Sequence, residues 1–145
     1  MILIRRVPKI NTRYKLLLIS FCSLMIGIFC YILFRESDLL VNRIFNIQFV
    51  NIRALDNFIF INFIRYNLPD GLWLFSGCLI LRSIWNKNNK MSQIYVIAFI
   101  LFAFLFEIGQ YFNITPGTFD IIDLFTMGIF ALFEQFIYKY YFLKE

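Results

Sequence analysis

There is no histidine in this chain of 145 residues. That absence removes Ser-His and Cys-His nucleophilic catalysis, histidine metal ligation and phosphohistidine chemistry in one step. Charge is scarce too: 16% of residues are charged, 61% hydrophobic and 21% aromatic. Soluble domains run near half apolar and a quarter charged, so the composition excludes that class and points to a membrane protein. The cysteines are few and odd in number. Cys22, Cys30 and Cys78 fall inside apolar runs with no CxxC spacing, which argues against a disulfide framework and reads as buried thiols acting as small hydrophobes. At ~20 residues per span the length accommodates about four membrane helices and no separate soluble domain.

What is present is organised by charge and by apolar runs. Arg5, Arg6, Lys9, Arg13 and Lys15 crowd the start of the sequence, which suits anionic cytoplasmic headgroups. An apolar run follows them at once, so nucleic acid is a poor partner. "LLLISFCSLMIGIFCYILF", residues 16–34, carries no charge and is long enough to span the hydrocarbon layer. It is long for a signal peptide, and "CYILFRES" offers no small-x-small cleavage site, so it reads as a retained first helix.

Residues 38–66 mix apolar positions at roughly helical spacing with Arg43, Arg53, Asp56 and Arg65. A span would bury Arg53 and Asp56 at ~2.5–3.5 kcal/mol each, so an interfacial or re-entrant amphipathic segment is expected. "NLPDGLWLFSGCLILRSIW", residues 67–85, opens a second span, with Asn67 or Leu68 at the cap, Pro69 in the first turn, Trp73 in the interface belt and Arg82 snorkelling at the far end. "NKNNK" is a polar turn, and "NITPG" joins the third span to the fourth. The expected fold is all-α, a small polytopic membrane helical bundle forming one domain over 1–145. Its spans lie at about 16–34, 68–85, 94–112 and 119–138, with the amphipathic segment at about 38–66.

Orientation follows from the basic residues. With the amino terminus inside, four spans place ten Lys/Arg on the cytoplasmic side, against Arg35, Arg43, Arg53 and Arg65 outside. A bacterial cytoplasmic membrane with both termini inside is the matching localisation.

That topology gathers polar residues at one depth. Asp70 opens the second span, Glu107 and Gln110 close the third, and Asp120 and Asp123 open the fourth. Each i, i+3 pair shares one helix side. Carboxylates inside a membrane helix are expensive unless they face protein or water, which makes these five the candidate binding residues. Two readings stand. The acids cap helices and tie them together, as suits Asp120 and Asp70 in first turns. Alternatively, they form an outward-facing acidic pocket for a cation, an amine-bearing headgroup or a proton. Close-set carboxylates repel unless a proton or cation intervenes, and Arg65 could neutralise one of them. Glu134, roughly 16 Å along the helix from Asp123, reads either as a second polar site nearer the cytoplasm or, the favoured reading, as an interfacial residue beside Lys139. "FILFAFLF" reads as lipid-facing packing, and Gly27, Gly77 and Gly128 as places where helices can approach closely.

"FEIGQYFNITPGTFDIIDLFTMGIFALF", residues 106–133, resembles the closing motif of the VanZ-like membrane proteins. Those carry an acid-x-x-Gln at the end of one span, a short turn, then Phe-Asp-x-x-Asp and a following Gly. The matches are Glu107, Gln110, Phe119, Asp120, Asp123 and Gly128, and "LPDGLW" looks like the family's earlier Pro-Asp element. Thr118 stands where the family often has arginine, and Thr126 where Asn is common. The resemblance implies a polytopic bacterial protein associated with low-level resistance to the glycopeptide teicoplanin. A family name supplies no mechanism.

The expected function is therefore binding, with an envelope lipid, a glycopeptide or a protein as partner and the lipid bilayer as surroundings. A membrane enzyme using carboxylates as acid/base groups or as ligands of a divalent cation is the alternative, although no nucleophile with its base is visible. A cation- or proton-coupled transporter would need polar residues through the whole membrane, and only Glu134 offers them. Resident cofactors are not expected.

Overall fold

A computed structural model describes residues 12–34, 59–85 and 90–143, and all the regular structure among them is helical. The helices are α1 (Thr12–Phe34), α2 (Ile59–Tyr66), α3 (Leu68–Ile84), α4 (Lys90–Tyr111) and α5 (Ile121–Leu143). Residues 35–58 lie outside the described residues, and with them most of the amphipathic segment, including Arg43, Arg53 and Asp56. Most of the NKNNK turn does too.

Three helices are long and apolar enough to cross a membrane, within Thr12–Leu33, Lys90–Tyr111 and Ile121–Tyr141. The chain is accordingly a multi-pass membrane protein. Their outer faces expose large apolar side chains. Phe125, Ile129, Leu132 and Phe136 repeat at helical spacing along one exposed stripe of α5, as Leu101 and Leu105 do on α4. Such faces are compatible with contact to lipid tails rather than water.

α3 has 17 residues, about 25 Å of helix, and is the central element. It touches every other helix. Leu74 and Cys78 pack with Val96, Ala103 and Met127 on one side, and Phe75 and Leu79 pack with Leu16 on another. α1 runs antiparallel to α3: Gly27 meets Leu72 and Pro69, while Ser20 Oγ donates to the Ser76 carbonyl at 2.8 Å. α4 is also antiparallel to α3, with Trp73 against Phe99 and Trp85 stacked on Tyr95. α5 runs parallel to α3, with Phe130 and Phe133 against Phe75.

Two glycines make this packing possible. A Cβ on Gly71 would fall 2.3 Å from the Phe130 ring and 2.8 Å from Thr126, so α5 lies against bare α3 backbone there. Gly77 likewise seats the Phe99 ring, as expected. Gly128 does not: a Cβ there would come no closer than 4.0 Å to its nearest neighbour, the Phe104 ring, so no close approach depends on this glycine. The cysteine expectation is corrected as well. Only Cys78 is buried, whereas Cys30 is half-buried and Cys22 is exposed on α1.

An acidic cavity at one end of the bundle

The turn after α4 is built by local chemistry. Ile114 N donates to the Gly109 carbonyl at 2.8 Å and Asn113 N to the Gln110 carbonyl at 3.0 Å. These two bonds, with Asn113 at φ 55°, are the Schellman arrangement that satisfies the last carbonyls of a helix. Thr115 Oγ1 then donates to the Phe106 carbonyl, folding the chain back over its own helix end. Gly117, at φ 136°, sits under the Gln110 amide, where any Cβ would fall 2.6 Å from Oε1.

This fold-back carries Asp120 to Glu107. The Asp120 amide donates to Glu107 Oε1 at 3.1 Å, and Asp120 Oδ1 accepts the Ile122 amide at 2.9 Å, capping α5. From the other side comes Asn67, one residue before α3. It occupies the cap position read from sequence, yet its side chain makes no cap bond. Its Nδ2 instead donates to Asp123 Oδ1 at 2.7 Å and to Asp120 Oδ2 at 3.0 Å. A single amide thus bridges two carboxylates that would otherwise repel.

Around this network lies a cavity of about 590 Å³. Asp70, Glu107, Gln110, Asp120 and Asp123 all line it, so the structure brings together the whole set that the topology placed at one depth. Tyr66, Trp73, Phe102 and Phe106 contribute aromatic walls, and 116–118 form part of its rim. Glu107 is 4% exposed and Asp123 8%, whereas Trp73 is 45% exposed. Aromatics of "FILFAFLF" therefore divide their duties: Phe99 and Phe104 pack on the core, and Phe102 and Phe106 face the cavity.

Asn67, Tyr66 and Trp73 were not singled out as site residues by the sequence. A tell-tale for Asn67 exists: an amide directly before an apolar helix, at the end of the bundle expected to hold two aspartates, is the natural bridge. Arg65 is buried, with its guanidinium 5.6 Å from the Tyr66 ring, and is not one of the lining residues. Among the described residues, no three of His, Cys, Asp and Glu group closely enough to hold a metal ion.

A second polar feature lies at the other end of α3 and corrects two expectations. Arg82 does not snorkel, and Glu134 is not interfacial. Arg82 Nε donates to Glu134 Oε1 at 3.0 Å, with the side chains 2% and 0% exposed. The Arg82 guanidinium also lies 4.1 Å from the Tyr138 ring. The reason is positional: α3 is enclosed by its neighbours, so an arginine in its last turn meets α5 before it meets water. A charge so placed needs a counter-charge, and Glu134 is at the matching height.

Comparison with protein families, with curated proteins and with solved structures gives no match.

Proposed function

We propose that this is a VanZ-like envelope protein of the bacterial cytoplasmic membrane that uses the acidic cavity to bind an envelope molecule or partner on the outer face. In this reading α3 is a fourth span, both termini are cytoplasmic, and the cavity opens outward. Ten Lys/Arg against four supported that orientation; setting aside Arg82, which is neutralised inside the bundle, leaves nine against four.

The observation that carries the proposal is the convergence of Asp70, Glu107, Asp120 and Asp123 on one cavity from three separate helix ends. Capping explains one of these acids, since Asp120 holds the Ile122 amide. Glu107 accepts the Asp120 amide, yet it is also a nine-tenths buried carboxylate four residues before the end of α4 that lines the cavity, a costly position for a helix tie alone. A cavity of this size falls within the range that holds small ligands, roughly 300–1,000 Å³. Glu134, the residue a coupled transporter would use deeper in the membrane, is held by Arg82, which favours binding over transport.

The test is complementation of a deletion strain. Glu107→Gln and Asp123→Asn are expected to reach the membrane at normal amounts yet fail to restore teicoplanin tolerance or envelope integrity. Full complementation by both variants would defeat the proposal. Loss of protein in every acid variant would favour a purely structural role for the acids.

A further inference from the structure

We infer that the bundle binds internal water at the Arg82–Glu134 pair, where water accepts from Arg82 Nη1 and donates to Glu134 Oε2. This site lies at the opposite end of α3 from the acidic cavity and does not depend on what that cavity binds.

The pair is only half satisfied by its own contact. Arg82 Nε donates to Glu134 Oε1 at 3.0 Å, and the side chains are 2% and 0% exposed. Arg82 Nη1 and Glu134 Oε2 are shut off from bulk solvent and find no hydrogen-bond partner among the described residues. The Tyr138 ring, 4.1 Å from the guanidinium, covers it with an aromatic face. A donor and an acceptor left open together in a low-dielectric interior are costly. Buried water is the usual remedy, making about three hydrogen bonds to groups of this kind.

A third open group stands at the same level. Ser92 Oγ, in the first turn of α4, is buried and has no hydrogen-bond partner among the described residues. Ser92 lies one turn before Val96, and Arg82 one turn after Cys78; Val96 and Cys78 belong to one packed cluster. Residues four apart share a helix side, and α3 and α4 run antiparallel, with Trp85 stacked on Tyr95. Ser92 is therefore presented from α4 towards the last turn of α3. Three helices each bring one unsatisfied polar atom to this end of the bundle.

The chemistry selects a neutral ligand. Arg82 and Glu134 already cancel each other's charge. A bare cation or anion would suit one open atom and meet like charge at the other. Water accepts and donates at once, and a serine hydroxyl can take either role towards it.

Two measurements on the full chain in nanodiscs test this. A high-resolution density map of the parent is expected to show water within hydrogen-bonding distance of both Nη1 and Oε2. X-ray radiolysis in heavy-oxygen water reads the same site chemically, because bound water releases hydroxyl radicals where it sits. Cys78, fully buried and within reach of both charges, is expected to gain heavy oxygen. That label should be lost in the Arg82→Met/Glu134→Leu double variant, which removes both water ligands. Exposed Cys22 should label alike in the two proteins and serves as the dose control.

The inference is overturned if the map shows no water at the two atoms, or shows guanidinium and carboxylate paired through two direct bonds. Equal labelling of Cys78 in parent and double variant would overturn it as well. The map needs no variant, so it decides even where the double variant misfolds.

Discussion

Arg82 Nε lies 3.0 Å from Glu134 Oε1 in the interior of the bundle, and neither side chain is more than 2% exposed. Arg82 Nη1 and Glu134 Oε2 find no hydrogen-bond partner there. The pair thus holds two charges away from water with incomplete satisfaction of both. Breaking it strands one of them: Arg82→Met or Glu134→Leu alone should lose about 3–5 kcal/mol, whereas the double variant should recover most of that. Thermal unfolding in one detergent, arranged as a double-mutant cycle, measures it. Equal, additive losses in the single and double variants would show that the pair is not coupled.

Gly71 predicts a graded series. Gly71→Ala drives a methyl into Phe130, a ring already packed on Phe75, and should lose about 1–3 kcal/mol. Gly128→Ala meets nothing closer than 4.0 Å and should stay within about 0.5 kcal/mol of the parent. The two melting temperatures decide. Equal shifts would mean that α5 does not rest on α3 at Gly71.

Asn67 is expected to matter through its amide hydrogens. Asn67→Ala removes both bonds to Asp120 and Asp123 and should lose about 1–3 kcal/mol. Asn67→Asp replaces the shared donor by a further negative charge and should be worse at neutral pH. Unfolding transitions of the two variants side by side provide the check; an aspartate variant as stable as the parent would remove the bridging role.

The turn over the cavity depends on two backbone positions. Asn113→Gly keeps the left-handed conformation and should be neutral or slightly stabilising, whereas Asn113→Val should lose about 1–2 kcal/mol. Gly117→Ala adds a Cβ at a position with φ 136° and against the Gln110 amide, so it should both destabilise the turn and displace Gln110. Melting temperatures of the three variants, measured side by side, test both positions.

Orientation has its own experiment. With Cys22, Cys30 and Cys78 replaced by alanine, Thr118→Cys on the cavity rim should react with an impermeant maleimide in intact cells. Lys90→Cys at the start of α4 should react only after lysis. The reverse pattern would place the cavity in the cytoplasm.

Much of this was legible from residue order because membrane insertion is a nearly local rule. Apolar length defines a helix, since lipid offers its backbone no hydrogen bonds, and the expected first, third and fourth spans coincide with α1, α4 and α5, the three helices long and apolar enough to cross a membrane. Antiparallel succession then places Asp70, Glu107, Gln110, Asp120 and Asp123 at one end without any knowledge of packing. Sideways relations are not local, and the sequence was silent or misleading about them. Whether Arg82 reached water depended on which helices enclose α3, and only the packed bundle set Glu134 against it. That Asn67 turns away from its own helix to bridge Asp120 and Asp123 depended on α3 and α5 running parallel, so that both amino-terminal ends meet. Helix length was set residue by residue through hydrophobicity, whereas the partners of each buried polar atom were decided by how the helices rotate and pack.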